Sequence, residues 1–229
     1  MTRKEISGLH LYNKLDGLHI LFDEINFKDE DILYTGPRQL SIMLTKKCNL
    51  KCSYCYASKG GSELDWELLQ QILEVAQNMN VLDITLGGGE PTLYSRFEEL
   101  VKLINEKYDF GLSVTTNGTN IEIFKHIPTI FSRVRVSLDN QKRVLDDTMK
   151  KQLTELKKYQ KIGINLLYSS DSSKWLEDTI CKLKNEDIKD ILIIPEHSNG
   201  KYVLSQSDWD TLENIIKNSI KNNIDIKIT

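Results

Sequence analysis

The segment Leu40–Cys55 reads LSIMLTKKCNLKCSYC and joins a short apolar run to three closely spaced cysteines. The run from residue 40 to residue 44 has the length and composition of a buried strand. The loop that follows it therefore carries Cys48, Cys52 and Cys55 at the carboxyl end of that strand. Active sites of parallel α/β folds are built from the loops at those ends. The segment thus predicts the first strand of such a fold and a site beside it.

The rest of the chain repeats this arrangement of strand and helix. Short apolar runs alternate with amphipathic helical stretches, which is typical of βαβ units. Strands are predicted at residues 40–44, 82–86, 112–116, 134–138, 164–168, 191–194 and 224–228. These make six βα units and a last strand, fewer than the eight units of a full barrel. We therefore expect an α/β fold, a partial (β/α)6 TIM-like barrel that is laterally open.

The first 37 residues follow another pattern. Alternating apolar segments at residues 8–11 and 17–20 flank a glycine-containing turn, as in a β-hairpin. We expect residues 1–37 to form an N-terminal β-hairpin extension and residues 38–229 to form the core partial barrel.

Composition narrows the class of protein. The formal net charge is -3 with acidic and basic residues interspersed, so nothing indicates a nucleic-acid partner. No stretch approaches the roughly 20 apolar residues of a membrane span, and residues 1–7 are too polar for a signal peptide. We expect a soluble, cytoplasmic protein without a membrane partner.

The cysteine spacing indicates metal chemistry. Three of the four cysteines are too close together for a disulfide framework, and such crowding in a reducing cytosol indicates metal or redox chemistry. Iron–sulfur cubanes normally take four cysteines, so three would leave one iron open. A structural zinc site is the alternative, but it usually needs four closed ligands, and His126 and His197 lack that spacing. Cys181 lies in a helical apolar repeat and is expected to be a buried structural thiol.

The motif C-x3-C-x2-C, with the aromatic Tyr54 before its last cysteine, resembles the signature of the radical S-adenosylmethionine (SAM) enzymes. The resemblance implies a [4Fe-4S] cluster on the three thiols, whose open iron chelates the amino and carboxylate groups of SAM. One electron from the cluster would cleave SAM to methionine and a 5'-deoxyadenosyl radical that abstracts hydrogen from the substrate. An electron donor such as flavodoxin or ferredoxin is implied as a partner, and Tyr54 as a cofactor contact.

The glycine run after the second strand resembles the GGEP motif of the same family. By this resemblance Gly88, Gly89, Glu90 and Pro91 contact the methionyl part of SAM. Glycine permits close approach of the backbone, and a carboxylate complements an ammonium group. Taken alone, a glycine run is merely a flexible turn.

Three later strands supply the remaining cofactor contacts that the resemblance implies. They are Thr116 and Asn117 in a T-N-G turn, Ser137 and Asp139 at a V-S-L-D strand end, and Asn165 on the fifth strand. Each has a simpler interpretation: an Asn-Gly turn, a solvent-facing edge strand, or a polar residue after a helix-capping glycine. The sequence assigns no catalytic acid, base or hydrogen donor.

The wording of the motifs most resembles enzymes that modify peptides or proteins, whose barrels are followed by a cysteine-rich SPASM or twitch extension. Only Cys181 follows Cys55, so these residues cannot build an auxiliary cluster. Either the enzyme is minimal or such an extension is missing from the chain. A peptide or protein substrate is expected. The alternatives are a small metabolite, as in deazaguanine synthases, a non-catalytic iron–sulfur or SAM-binding regulatory protein, and an activator of a glycyl-radical enzyme.

Overall fold

The computed structural model describes residues 1–28, 36–57, 59–127, 131–198, 201–222 and 224–228. The chain divides into two compact units. The first unit comprises residues 1–49, 57–115 and 126–134, and the second comprises residues 50–56, 116–125 and 135–229. The boundary predicted after residue 37 remains a prediction.

From residue 39 onward the described residues alternate between strands and helices, except at residues 190–202, where three strands follow one another. The strands are β1 Thr2–Glu5, β2 Gly8–Asn13, β3 Leu18–Phe22, β4 Gln39–Thr45, β5 Asp83–Gly88, β6 Gly111–Thr116, β7 Phe131–Leu138, β8 Ile162–Tyr168, β9 Asp190–Pro195, β10 His197–Ser198, β11 Lys201–Tyr202 and β12 Asp225–Ile228. The helices are α1 Trp66–Asn78, α2 Phe97–Lys107, α3 Ile123–His126, α4 Asp147–Leu156, α5 Ser173–Asn185 and α6 Gln206–Lys221, and Pro91–Leu93 form a short 3-10 helix.

All seven predicted strands are present, as β4 to β9 and β12. In the first unit, β4, β5, β6 and the beginning of β7 follow one another in the sheet, and both β4–β5 and β5–β6 pair in parallel. In the second unit, the end of β7 is followed by β8, β9 and β12, and both β8–β9 and β9–β12 pair in parallel. Strands β4 and β12 are edge strands, so the sheet is open. The predicted open α/β fold is confirmed.

The helices form where apolar side chains recur at helical spacing. Helix α1 buries Leu69, Leu73 and Ala76 on one face, and the side chain of Asp65 caps it by accepting the N–H of Leu68. No helix among the described residues is long and apolar enough to cross a membrane.

Cys181 corrects one expectation. It lies on α5 and is exposed, whereas the neighbouring Ile180 and Leu183 are buried. Successive helical residues point about 100° apart, so a cysteine next to a buried position turns away from the core. The prediction of a buried thiol was wrong.

The N-terminal sheet has three antiparallel strands in the order β1-β2-β3. The predicted hairpin is β2–β3, and the sequence does not reveal β1 because its inward-facing residues are charged. Arg3 and Glu5 are buried there, 2% and 7% exposed, and form an ion pair. Arg3 is accommodated because its guanidinium also donates to the carbonyls of Pro37 and Asn80.

This sheet packs on the amino ends of the parallel strands of the first unit. Tyr12 donates its hydroxyl to Asp83 Oδ1 at 2.7 Å, and the side chains of His19 and Gln39 are 3.2 Å apart. A Cβ added to Gly111 would lie 1.8 Å from the Tyr12 hydroxyl, so only glycine fits there. The amino ends are thus occupied by packing, and the carboxyl ends carry the cysteine loop.

Two histidines of this sheet share one hydrogen bond. His10 Nε2 and His19 Nδ1 are 3.0 Å apart. Burial, then the charges of His19 and Arg38, lower the pKa of His10. Burial also lowers the pKa of His19, which Asp83 opposes and Arg38 reinforces. The folded protein therefore favours the neutral pair.

We expect the protein to lose stability as the pH falls below about 6.5, the pKa of histidine in an unfolded chain. Below that pH the unfolded chain binds protons that folded His10 and His19 bind only at lower pH, so the free energy of unfolding decreases. Urea unfolding at about pH 7.5 and about pH 5.5 measures the loss. The double variant His10→Gln/His19→Gln should lose less over this range, and an equal loss would contradict the assignment.

Candidate functional site

The loop that carries the cysteines leaves the carboxyl end of β4, and backbone hydrogen bonds close its base. The N–H of Lys46 donates to the carbonyl of Ser62 at 2.8 Å. The N–H of Leu64 donates to the carbonyl of Leu44 at 2.8 Å. Cys48 lies two residues after Lys46, so these hydrogen bonds fix the position of the backbone that leads to Cys48.

The glycine-rich turn holds the other side of the same segment. The N–H of Gly89 donates to the carbonyl of Thr45 at 2.7 Å, and that of Glu90 donates to the carbonyl of Lys47 at 2.8 Å. Gly88 has a φ of +135°, and a Cβ there would lie 2.5 Å from Thr45 O. A Cβ on Gly89 would lie 2.1 Å from Lys47 O. Gly88 and Gly89 are required here because two backbone segments meet, whether or not a ligand also contacts the turn.

Glu90 is buried and stabilises the start of the short 3-10 helix. Its Oε1 accepts the Thr92 hydroxyl at 2.8 Å and the Thr92 N–H at 3.3 Å, which caps the 3-10 helix that begins at Pro91. The contact of Glu90 and Pro91 with SAM remains a prediction.

In the second unit, two of the sequence-predicted residues are in direct contact. Tyr54 donates its hydroxyl to Asp139 Oδ2 at 2.5 Å and accepts Arg143 Nη2 at 2.8 Å. Arg143 Nε donates to the same carboxylate oxygen at 2.7 Å. The other oxygen, Oδ1, accepts the backbone N–H groups of Gln141 and Lys142 at 2.7 and 2.6 Å. Both oxygens of Asp139 are therefore engaged within the protein.

These contacts set the charges of the group. Burial of Asp139 favours its neutral form, but hydrogen bonds from Tyr54, Arg143 and the backbone outweigh burial and hold the pKa of Asp139 at about 2. Burial and the hydrogen bond to Asp139 raise the pKa of Tyr54 well above its ordinary value. The network thus combines a carboxylate, a neutral phenol and a guanidinium cation.

Thr116 is the last residue of β6 and Asn117 follows it; both are buried and shape the turn through local hydrogen bonds. Thr116 Oγ1 accepts the N–H of Gly118 at 3.1 Å. Asn117 Oδ1 accepts the N–H and the hydroxyl of Thr119 at 2.9 and 2.7 Å. The Asn-Gly turn is therefore present, with Gly118 at a φ of +78°.

Ser137 and Asn165 lie on neighbouring parts of the second unit. Ser137 is half-buried on β7, on the same face as Arg135, as the alternating pattern predicts. Asn165 is buried on β8, and its Oδ1 accepts Arg135 Nη1 at 3.2 Å. Arg135 also pairs with Asp190 at 2.7 Å. The guanidinium of Arg135 therefore orients the side chain of Asn165, a contact that the sequence does not predict.

The cysteines have the donor chemistry of an iron–sulfur site. None of the four forms a disulfide, Cys48 and Cys52 are half-buried, and Cys55 is exposed. Thiols outside disulfides on a loop with a fixed base fit an iron–sulfur cluster. Within the described ranges, no group of three or more His, Cys, Asp or Glu side chains is arranged to hold a metal ion, so the ligand assignment remains a prediction.

Arg143 is a member of the network of Tyr54 and Asp139 that the sequence does not predict. It lies four residues after Asp139 in a loop without a recognisable motif, so only the folded loop brings its guanidinium to Tyr54. Sequence spacing alone contains no signal for this contact.

We expect Gly89→Ala to destabilise the protein by roughly 1 to 3 kcal/mol, as overpacking does, because its Cβ would collide with the carbonyl of Lys47. Gly87→Ala is the matched control, since a Cβ at Gly87 has no atom within 4 Å. The free energy of unfolding measured in urea compares the two variants. Equal effects would show that the turn tolerates a side chain against the segment before Cys48.

Comparison with known proteins identifies the family. The model of the Radical SAM superfamily matches residues 42–165, more than half of the 229 residues. A probable GTP 3',8-cyclase of Methanocella arvoryzae is 39% identical over 111 residues, which cover 45% of this chain and 35% of the cyclase. The sporulation killing factor maturation protein SkfB of Bacillus subtilis is 33% identical over 118 residues, 48% of this chain and 28% of SkfB. The matches thus span at most 35% of the length of these two relatives.

Solved structures share the fold over a greater length. SuiB of Streptococcus suis, bound to its precursor peptide SuiA, has a TM-score of 0.73 at 16% identity and covers 100% of this chain and 70% of SuiB. The complex of SuiB with S-adenosylmethionine has a TM-score of 0.72. At this identity the likeness shows the fold alone.

The family match contains the cysteine motif, the GGEP turn and the strand end at Asp139. Enzymes of this family use a [4Fe-4S] cluster together with SAM. The relationship that the cysteine motif predicted is confirmed, and the chain belongs to the radical SAM superfamily.

Proposed function

We propose that this chain is the catalytic core of a radical SAM enzyme that modifies a peptide or a protein. The observation that carries the substrate class is the 33% sequence identity to SkfB, which is named as a sporulation killing factor maturation protein. The fold that the chain shares with SuiB, whose structure contains a precursor peptide, is compatible with the same class. The residues of the cysteine and GGEP motifs resemble those of peptide-modifying radical SAM enzymes, which agrees with both relatives.

The cysteine loop provides the proposed metal ligands. Cys48, Cys52 and Cys55 would hold the [4Fe-4S] cluster and leave one iron without a protein ligand. When bound, the cluster and SAM together supply a carbon-centred radical that abstracts hydrogen from the substrate. The chain's own contribution is orientation, because the closed loop base and the glycine turn determine where the backbone before Cys48 lies.

The other candidate residues would orient SAM. Glu90 is proposed to face the ammonium group, since it is a buried carboxylate on a turn without side chains at its preceding positions. The proposed SAM site also includes Tyr54, Gly88, Gly89, Pro91, Thr116, Asn117, Ser137, Asp139 and Asn165.

A small-molecule substrate is the second candidate. The identity to the probable GTP 3',8-cyclase, 39%, is higher than the 33% to SkfB. Either reaction needs a one-electron donor, for which we propose a flavodoxin or a ferredoxin.

We expect the anaerobically reconstituted protein to bind about four irons and four sulfides, as one [4Fe-4S] cluster requires. Cys48→Ala, Cys52→Ala and Cys55→Ala should each lose the iron because each removes a thiolate ligand. Cys181→Ala is the control and should retain it, since Cys181 lies on α5. Iron and sulfide analysis with the visible absorption spectrum measures the outcome. One bound zinc without charge-transfer absorption would refute the cluster.

We expect the reduced, reconstituted protein to convert SAM to 5'-deoxyadenosine slowly alone and faster with its substrate. Mass spectrometry of 5'-deoxyadenosine measures turnover, and deuterium transfer from labelled substrate identifies the site of abstraction. Peptides encoded beside the gene and GTP should be compared. Stimulation by a peptide and not by GTP supports the proposal, and stimulation by GTP alone overturns the substrate class. A fully loaded, reduced protein that forms no 5'-deoxyadenosine would contradict catalysis.

A further inference from the structure

We propose that the loop after β7, residues 139–143, is a preformed receptor that holds the segment Leu50–Tyr56 in one conformation before any cofactor binds. The group that it holds is the hydroxyl of Tyr54, which makes Tyr54, Asp139 and Arg143 positioning residues for the cysteine loop. The inference rests on the proposed function only for the identity of the cofactor that Cys52 and Cys55 would bind.

The receptor loop is built around its own first residue. The N–H of Asp139 donates to the carbonyl of Arg143 at 3.1 Å, which closes the loop. Asp139 Oδ1 accepts the N–H groups of Gln141, Lys142 and Arg143, the last at 3.4 Å. One carboxylate oxygen thus organises the backbone, and the other remains available for the tyrosine.

The receptor loop holds the cysteine segment at two points. The first is the Tyr54 hydroxyl, which donates to Asp139 at 2.5 Å and accepts from Arg143 at 2.8 Å. The second is Lys142, whose Nζ donates to the carbonyl of Lys51 at 2.8 Å. Both contacts involve a charged group, so the degree of burial decides which of them contributes more.

Burial explains why the tyrosine contact matters more than the lysine contact. Asp139 is fully buried, and the side chain of Arg143 is 13% exposed. Removing the Tyr54 hydroxyl would take a hydrogen-bond partner from two charged groups that water reaches poorly. The contact of Lys142 with Lys51 is exposed, and its loss can be compensated by water.

The same segment contains a natural control. Tyr56 lies two residues after Tyr54, on the other side of Cys55, and is 94% exposed. A change from tyrosine to phenylalanine removes the same atom at both positions. Only at Tyr54 does that atom lie in a network.

The expected function of the receptor loop is preorganisation. A loop that is ordered beforehand does not lose its backbone entropy when a ligand binds. The backbone between Cys52 and Cys55 contains a hydrogen bond from the Cys55 N–H to the Cys52 carbonyl at 3.4 Å. Holding Tyr54 keeps that short turn in place in the metal-free protein.

Amide hydrogen exchange of the reduced, metal-free protein tests the proposal. We expect residues 50–56 to exchange about tenfold faster in Tyr54→Phe than in the parent protein, because the hydrogen bonds of the hydroxyl with Asp139 and Arg143 are lost. Tyr56→Phe should exchange at the parent rate, and helix α5 should be unchanged in both variants. Equal exchange of this segment in Tyr54→Phe and Tyr56→Phe would overturn the proposal.

Two further measurements separate positioning from general destabilisation. Lys142→Met removes only the exposed contact and should accelerate exchange of residues 50–56 less than Tyr54→Phe does, with the free energy of unfolding unchanged. After reconstitution, Tyr54→Phe should release iron to a chelator faster than Tyr56→Phe, and equal rates would exclude an effect on the bound cofactor. The exchange experiment uses neither iron nor SAM, so its outcome is independent of whether the protein forms 5'-deoxyadenosine.

Discussion

The site depends on how the backbone that leaves β4 is held between two neighbouring segments of the first unit. Residues 62–64 hydrogen-bond one side of residues 44–46, and the turn at Gly88–Glu90 hydrogen-bonds the other side of residues 45–47. Backbone hydrogen bonds on both sides leave this segment little freedom, because every displacement breaks several of them at once. The glycines of the turn are needed for this contact, since any Cβ would enter the space of the facing carbonyls.

The two ends of the parallel strands are used differently. The N-terminal sheet packs on the amino ends of the parallel strands in the first unit. Tyr12 of that sheet hydrogen-bonds Asp83 and lies so close to Gly111 that a Cβ would not fit there. The buried hydroxyl of Tyr12 is satisfied there by the carboxylate of Asp83. At the carboxyl ends, loops carry thiols and the glycine turn. This division between a packed end and a reactive end is general in β/α architectures, because loops at one end can vary without disturbing the core.

The motif residues have structural roles in the protein itself. Glu90 caps a 3-10 helix, Asn117 shapes a turn, and Asp139 organises a loop and holds Tyr54. A residue that orients a loop from a buried position can influence a cofactor without touching it. Loss of activity in a variant of such a residue therefore does not by itself demonstrate a ligand contact. Measurements on the metal-free protein separate the two roles.

The sequence by itself determined the fold class, the seven parallel strands and the family, because hydrophobic periodicity and the cysteine spacing are local properties of the chain. It did not reveal β1, whose inward residues Arg3 and Glu5 neutralise each other only after folding. Cys181 was misassigned because one helical step separates an exposed position from a buried one. Only the tertiary structure showed that Arg143 meets Tyr54, 89 residues earlier in the chain. Such a contact depends on where loops of different strands end in space, and no local pattern of residues encodes that position.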